Sequence, residues 1–217
     1  MCDAENIRAV EALGVNLIGL VFYPESPRYV AMISSGAGIM PDYSSLKEDA
    51  GPSEAVRRVG VFVDDMPQNI VTRVYNYSLD YVQLHGEESP VMIKNLRRTL
   101  DPDIRPGIQI IKALSIASAE DIQQTKEYEG LADLFLFDTR CEEKGGSGKS
   151  FEWSLLEAYE GATPFLLSGG IGPGDAARVK SFRHPLFAGI DLNSRFETEP
   201  GMKDVERLKT FIQELNR

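Results

Sequence analysis

The residues of this sequence with the clearest chemical potential stand directly after short apolar runs, where enzymes built on parallel sheets keep their reactive groups. Asp138 follows the apolar run 134–137, and Asp191 closes another such run near the end of the chain. Partial removal of the Asp138 carboxylate from water would favour its protonated form, which is what a general acid requires. The competing interpretation is an aspartate that only caps a turn or a helix.

Two short polar loops are candidates for binding a phosphate. Segment 168–171 (SGGI) follows an apolar run and precedes a helical segment, so its backbone N–H groups could approach an anion closely. Segment 191–195 (DLNSR) ends the next apolar run and could complete the same site from the other side. Each loop alone could be an ordinary turn. Two of them on adjacent strands favour a phosphate site, which in βα barrels lies after the last two strands.

Three further polar side chains lie at the ends of predicted strands. Arg28, in segment 23–29 (YPESPRY), could hold a substrate carboxylate with two hydrogen bonds, or it could be a solvated loop residue. Gln83 and His85, in segment 82–88 (VQLHGEE), end another apolar run. A lone histidine is more often structural than catalytic, so the residues alone favour a structural role for His85.

Two glycine-rich segments resemble nucleotide-binding motifs without matching them. Segment 145–150 (GGSGKS) is half of a phosphate-binding Walker loop, but Glu143 stands where the pattern requires its first glycine. We therefore expect a glycine-hinged lid over an active site. Segment 170–172 (GIG) fails the dinucleotide pattern because Asp175 occupies the position of the third glycine.

The elements that must position these residues alternate between strand and helix. Short apolar, β-branched runs predict buried strands at 16–22, 58–63, 81–84, 109–113, 133–137, 164–167 and 187–191. Helical patterns lie at 4–13, 68–75, 90–100, 116–128, 153–159, 174–181 and 203–216. This alternation predicts an α/β fold with a parallel sheet and helices outside it. Segment 31–55 is an insertion or a longer crossover.

The order of the elements favours a barrel that lacks one strand. We expect one domain over residues 1–217, because no change of composition marks a boundary. An eight-fold (β/α)8 TIM barrel begins with a strand, whereas this chain begins with a helical pattern and has seven predicted strands. We therefore expect the first strand of the barrel to be missing from this chain. A seven-stranded open sheet is the alternative.

Composition and charge exclude several classes of function. The chain has 23 Lys and Arg against 33 Asp and Glu, and the resulting net charge of −10 argues against binding to nucleic acid or to anionic membranes. No run approaches the roughly 20 apolar residues of a membrane span, and the N-terminus does not resemble a signal peptide. Cys2 and Cys141 cannot form a disulfide framework, which favours a cytoplasmic location. His85 and His184 are far apart, so no metal site is expected.

The motifs taken together resemble those of the phosphoribosylanthranilate isomerase family, and the resemblance extends over almost the whole chain. The matching segments, in chain order, are 22–29, 59–63 (VGVFV), 83–86 (QLHG), 137–139 (FDT), 145–153, 167–170 (LSGG) and 191–197. The resemblance implies a (β/α)8 barrel without cofactor or metal, acting on a small phosphosugar. The implied reaction is an Amadori rearrangement of N-(5-phosphoribosyl)anthranilate in tryptophan biosynthesis. The oligomeric state does not follow from the resemblance.

The resemblance also implies roles for individual residues. Asp138 is implied as the general acid that protonates the furanose ring oxygen. Arg28 is implied to hold the anthranilate carboxylate. Gln83, His85 and Asp191 are implied to contact the rest of the substrate, with Asp191 near its sugar and amine. The implied phosphate-binding residues are Gly169, Gly170, Asn193 and Ser194.

One feature of the family is not found in this sequence. The general base of the family is a cysteine in a Lys-x-Cys-Gly motif on the first strand, and segment 1–6 (MCDAEN) matches the residues just after that motif. We therefore expect impaired activity of this chain, with Cys2, near a helix N-terminus, as a substitute base in an alternative hypothesis. Two other hypotheses stay open. One is indole-glycerol-phosphate synthase with Lys112 as its acid, and the other is a non-catalytic phosphosugar-binding barrel.

Overall fold

A computed structural model describes residues 1–31, 56–138 and 153–217 of the chain. Its centre is a parallel sheet in which each strand pairs with the next one along the chain. This order follows from the β-then-α rhythm, because each helix returns the chain to the start of the neighbouring strand. The strands are β1 Leu17–Val21, β2 Arg57–Phe62, β3 Tyr81–Leu84, β4 Gln109–Ser115, β5 Leu134–Asp138, β6 Phe165–Ser168 and β7 Phe187–Ile190.

The helices begin where the sequence supplies caps. The side chains of Asp3, Ser89 and Asp204 accept hydrogen bonds from the first turns of three helices. Two helices start on a proline, which needs no N–H partner at that position. The helices are α1 Ala4–Glu11, α2 Pro67–Tyr77, α3 Pro90–Leu100, α4 Thr125–Tyr128, α5 Ala176–Ser181 and α6 Val205–Asn216. Short 3-10 turns cover Asp121–Gln124, Trp153–Ala158, Pro173–Asp175 and Ser194–Phe196.

The α/β fold predicted from the sequence is confirmed, and each predicted strand lies within two residues of an observed one. The predicted helix 116–128 is wrong over its first half. There the Asp121 carboxylate accepts hydrogen bonds from the backbone N–H groups of Ala117 and Ser118. This local turn replaces the helical bonding that the apolar spacing had indicated.

A small antiparallel hairpin near the C-terminus was not predicted. Its strands are β8 Glu197–Glu199 and β9 Met202–Lys203, with Gly201 in its turn at a positive φ of 88°. Because β9 is part of the hairpin, α6 begins at Val205 and not at 203 as expected. The hairpin places Lys203 beside Glu197, and both belong to the site described below.

Side chains alternate between the two faces of the sheet, as the pleat of a strand requires. One apolar cluster fills the concave inner face and includes Val59, Tyr81, Ile111, Ala113 and Leu136. A larger cluster lies between the outer face and the helices, and it includes Phe62, Leu84, Phe135, Phe137 and Phe165. The alternation therefore directs Asp138 inward, in line with Leu136.

The sheet has two edges in the part of the chain that the structure describes. Neighbouring strands pair from β1 to β7, and no pairing joins β7 back to β1 within those residues. At the β1 edge, the N-terminal ammonium group of Met1 donates a hydrogen bond to the Gly19 carbonyl at 2.6 Å. Helices α1 and α6, which flank the two edge strands in sequence, pack against each other.

Two predicted features lie outside the described residues. They are most of the 31–55 insertion and the glycine-rich lid at 145–149, which fall within 32–55 and 139–152. Among the helices of the described ranges, none has the length and apolar character needed to cross a membrane.

An aromatic cluster on the outer face generates a test of the packing. Phe165 is fully buried, and its ring centroid lies 4.8 Å from that of Phe137 and 5.0 Å from that of His184. Phe165→Ala removes these contacts and leaves a cavity, so we expect the free energy of unfolding to fall by about 3–5 kcal/mol. Urea unfolding followed by circular dichroism measures it. Tyr75→Ala, at a side chain that is 76% exposed, is the control, and we expect it to change stability by about 0.5 kcal/mol or less. Equal losses in both variants would contradict this account of the core.

Candidate active site

The inner face of the sheet carries polar side chains at the carboxyl ends of its strands. Asp138 is the last residue of β5, and its side chain is only 9% exposed. The imidazole of His85 lies beside it, with Nε2 3.7 Å from Asp138 Oδ2. Gln83 Nε2 lies 2.9 Å from His85 Nδ1. Because the Gln83 amide nitrogen can only donate, this contact places the imidazole proton on Nε2, on the side of Asp138.

Ser168 extends this group of polar residues to the next strands. It pairs in register with Asp138 on the neighbouring strand and is buried. Its hydroxyl donates a hydrogen bond of 2.9 Å to Asp191 Oδ2, just after β7. The carboxylates of Asp138 and Asp191 are therefore separated by one hydroxyl-bearing strand end. Sequence reasoning assigned Ser168 no role of its own.

A buried carboxylate joins two cations beside Asp191. Glu197, with a side chain 4% exposed, accepts hydrogen bonds from Arg28 Nε and from Arg28 Nη2, the latter at 2.5 Å. Lys203 Nζ lies 3.2 Å from Glu197 Oε1 and donates a hydrogen bond of 3.0 Å to Asn193 Oδ1. Arg28 is thus held by a partner that its sequence position did not indicate.

The pKa values of Glu197 and Lys203 are both lowered, but for opposite reasons. Burial alone would raise the pKa of Glu197, but the hydrogen bonds from Arg28 and the charge of Lys203 outweigh it and hold that pKa below its ordinary value. Burial lowers the pKa of Lys203, although the neighbouring carboxylates of Glu197 and Asp191 oppose that shift. The network is therefore a compensated cluster of buried charges.

The two loops expected to bind phosphate lie side by side at the same edge. Gly169 and Gly170 follow β6 with positive φ values of 94° and 68°, which L side chains rarely adopt. A Cβ on Gly170 would meet no atom of the described residues within 4 Å, so their packing leaves space beside this backbone. Asn193 and Ser194 follow β7, which pairs with β6.

The structure brings most of the predicted site residues into one polar arc along the carboxyl edge. We define the polar arc as the neighbouring polar side chains of Gln83, His85, Asp138, Ser168, Asp191, Asn193, Lys203, Glu197 and Arg28. Sequence reasoning missed the contributions of Ser168, Glu197 and Lys203. Ser168 and Glu197 lie in the motifs that carry the family resemblance and could have been weighed. Lys203 had no signal, because it was predicted as the first residue of the helix 203–216.

Lys112 does not belong to the polar arc. It lies on β4 in register with Leu84 and Phe135, whose side chains pack in the outer cluster. Its ammonium group donates hydrogen bonds to backbone carbonyls and to Glu88 behind the sheet. A catalytic lysine acid, as indole-glycerol-phosphate synthase requires, is therefore not supplied by Lys112.

The structure also bears on two other candidates, a metal site and Cys2. Within residues 1–31, 56–138 and 153–217, no group of three or more His, Cys, Asp or Glu side chains is arranged to hold a metal ion. Cys2 is partly buried, and its Sγ lies 2.6 Å from where a Cβ on Gly201 would be. It therefore packs against the hairpin turn, on the Arg28 side of the polar arc.

Comparisons with known proteins agree with this geometry. The family model of N-(5'-phosphoribosyl)anthranilate isomerase matches residues 39–214. An isomerase of that name from Parabacteroides distasonis is 48% identical over 99% of this chain and 90% of its own length. The corresponding protein from Phocaeicola vulgatus is 42% identical over 100% of this chain and 95% of its own length.

Solved structures show the same architecture. Phosphoribosyl anthranilate isomerase from Thermotoga maritima superposes with a TM-score of 0.74 at 31% identity, covering 100% of this chain and 95% of its own. A phosphoribosyl anthranilate isomerase in complex with reduced 1-(o-carboxyphenylamino)-1-deoxyribulose 5-phosphate gives 0.73 at 28% identity, covering 98% and 93%. The matches extend over nearly the whole chain, and this protein belongs to the N-(5'-phosphoribosyl)anthranilate isomerase family.

Proposed function

We propose that this chain converts N-(5'-phosphoribosyl)anthranilate to 1-(2-carboxyphenylamino)-1-deoxyribulose 5-phosphate, an intramolecular isomerisation in tryptophan biosynthesis. The observation that supports it most is the polar arc, which holds a buried acid and a guanidinium group at the same edge of the sheet as the loops after β6 and β7. These groups match an aminosugar, a carboxylate and a phosphate. The proposed substrate is a small molecule, and the proposed location of the reaction is the cytoplasm.

In the proposed mechanism, protonated Asp138 gives its proton to the furanose ring oxygen. The bond between that oxygen and C1 breaks, and the lone pair of the anthranilate nitrogen forms the C=N bond of a Schiff base. Loss of the C2 proton to a base then gives an enolamine, which becomes the product ketone by proton transfer to C1. Asp138 is buried at the end of its strand, so this proton transfer takes place away from bulk water.

Arg28 supplies the carboxylate site in this proposal. Glu197 accepts hydrogen bonds from Nε and Nη2 of Arg28. The Nη1 of Arg28 makes no hydrogen bond to the described residues. Because Glu197 already holds one side of this guanidinium group, the group loses little further conformational entropy when its other side binds a carboxylate. Glu197 therefore orients the guanidinium group, and the Nη1 donor of Arg28 is the part of it that we assign to the substrate carboxylate.

The other residues of the polar arc and the two loops beside it complete the proposed substrate site. Backbone groups of Gly169, Gly170, Asn193 and Ser194 bind the phosphate, since both loops border the same edge. Gln83 and His85 contact the sugar beside Asp138. Asp191, fixed by Ser168, faces the amine and the sugar hydroxyls.

A non-catalytic phosphosugar-binding barrel is the alternative, and it is not favoured. The proteins that match this chain over most of its length are named as isomerases. A binding protein would have no use for the buried acid of Asp138 with a histidine beside it. Steady-state turnover of freshly prepared phosphoribosylanthranilate, followed as loss of substrate fluorescence, decides between the two functions.

We expect Asp138→Asn to lower kcat by about 10²- to 10⁴-fold, because an amide cannot donate the proton that opens the ring. Affinity for the reduced product analogue should change little, since that ligand needs no proton transfer. Asp133→Asn is the control, because Asp133 precedes the same strand at its opposite end, where it pairs with Arg97. Unchanged turnover in Asp138→Asn would contradict the assigned acid.

We expect Arg28→Met to weaken binding of the reduced product analogue by about 10- to 100-fold, the loss expected for hydrogen bonds to a charged group. An analogue that lacks the benzoate carboxyl should bind both forms equally. Isothermal titration calorimetry measures both affinities. Arg97→Met, which removes a guanidinium at the far end of the sheet, should leave both unchanged. Equal losses for the two analogues would show that Arg28 does not bind the carboxylate.

We expect Glu197→Gln to lower the free energy of unfolding by about 3 kcal/mol at pH 7, because it leaves buried cations without their carboxylate. The native pKa of Glu197 lies below 4.5, so its contribution is complete above pH 4.5 and is lost as the pH falls through the native pKa. The deficit of the variant should therefore shrink in acid. Denaturant unfolding across pH 2.5–7 (roughly the window this shift defines) measures it.

The control for this pH dependence has the opposite sign. Burial raises the native pKa of Glu11, so its contribution is complete below pH 4.5 and is lost as the pH rises through the native pKa. The difference between the wild type and Glu11→Gln should therefore change in the reverse direction. A constant deficit for Glu197→Gln at every pH would contradict the ionised network.

A further inference from the structure

A buried ion pair lies behind the sheet, on the face away from the polar arc. The side chains of Lys112 and Glu88 are each 2% exposed, and Lys112 Nζ lies 3.2 Å from Glu88 Oε2. Burying such a pair costs desolvation free energy, and an apolar pair of similar volume often gives equal or greater stability. The orientation of its hydrogen bonds points to a role other than stability.

The ammonium group of Lys112 binds the backbone on both sides of His85. It donates a hydrogen bond of 2.6 Å to the Gly86 carbonyl and one of 3.3 Å to the Leu84 carbonyl. A further hydrogen bond, of 3.1 Å, goes to the Ala113 carbonyl on its own strand. One cation thus fixes the carbonyl groups of both residues that flank His85 to the neighbouring strand.

Glu88 fixes the same loop from the other direction. Its carboxylate accepts hydrogen bonds from the backbone N–H of Gly86, at 3.0 and 3.1 Å, and from that of Asp64 at 3.1 Å. The Asp64 side chain in turn accepts from the Glu87 N–H at 2.7 Å. A Cβ on Gly86 would lie 2.5 Å from the Asp64 carboxylate, so the loops after β2 and β3 are in close contact.

We propose that Lys112 and Glu88 are positioning residues, which hold the His85 imidazole in place between Gln83 and Asp138. The pair never contacts the substrate, because the sheet separates it from the inner face. It acts through the backbone of residues 84–86 and through His85 on the proton of Asp138. The catalytic consequence rests on the proposed isomerase function, whereas the placement of His85 does not.

Nuclear magnetic resonance of the histidine rings tests this placement without any assay of activity. The chain has two histidines, so the long-range proton–nitrogen spectrum contains one reference ring, His184, held at Nε2 by the Tyr159 carbonyl. In folded Lys112→Met we expect the His85 ring nitrogens to shift as its hydrogen bond to Gln83 loosens, and the His184 signals to stay in place. Glu88→Gln, a milder change, should shift the same ring in case Lys112→Met does not fold.

Arg58→Met is the matched control for loss of a buried cation. Arg58 is 5% exposed on β2 and donates a hydrogen bond to the Tyr77 carbonyl, away from the polar arc. This variant should lose stability without moving the His85 signals or changing kcat. In Lys112→Met we expect kcat to fall by about 10- to 100-fold, because small displacements of a catalytic group cost that much.

The double variant Lys112→Met with Glu88→Leu separates positioning from stability. Without an unpaired buried charge, it should regain much of the melting temperature that Lys112→Met loses. The His85 shift and the loss of kcat should both remain. His85 signals that match the wild type in the folded variants, or that move together with those of His184, would overturn the proposal. If the wild type shows no turnover, the ring signals still decide it.

Discussion

The structure depends on the strict alternation of side chains along parallel strands. Each strand end offers one position to the concave face and the next to the helical layer. Asp138 and Phe137, neighbours in sequence, are therefore placed in a polar site and in an aromatic core. A shift of one residue in the register of β5 would exchange them, burying the carboxylate among rings. The buried aromatic layer thus fixes the register that directs the acid inward.

The same alternation explains how much the sequence could predict. Apolar runs marked the strands, and a polar residue at the end of a run, such as Asp138 or Asp191, could be assigned to the carboxyl edge. Contacts between distant segments could not be predicted this way. The bond of Arg28 with Glu197 spans 169 residues and depends on a hairpin that brings Glu197 and Lys203 together. Helical periodicity predicted a helix start there, because two-residue strands carry too little pattern.

Local hydrogen bonding also limited the prediction of helices. The segment before α4 has apolar residues at helical spacing, yet the Asp121 side chain bonds to the backbone and closes a turn. Periodicity reports which residues are buried, and Ile122 and Tyr128 are indeed buried. It does not report how the backbone between them satisfies its N–H groups. For the same reason Lys112 was considered as an acid, since sequence gives its strand but not the carbonyls that surround it.

An acidic protein can still bind an anion where individual hydrogen-bond donors are directed at it. The net charge of −10 is a property of the whole surface, whereas Arg28 and Lys203 share one buried carboxylate. Behind the sheet, Lys112 and Glu88 compensate each other fully and leave no charge for a ligand. The two clusters are therefore built from similar residue types but have different functions. The pair of Arg28 and Glu197 keeps one guanidinium nitrogen for the substrate. The pair of Lys112 and Glu88 is enclosed behind the sheet, and its hydrogen bonds hold the backbone that carries His85.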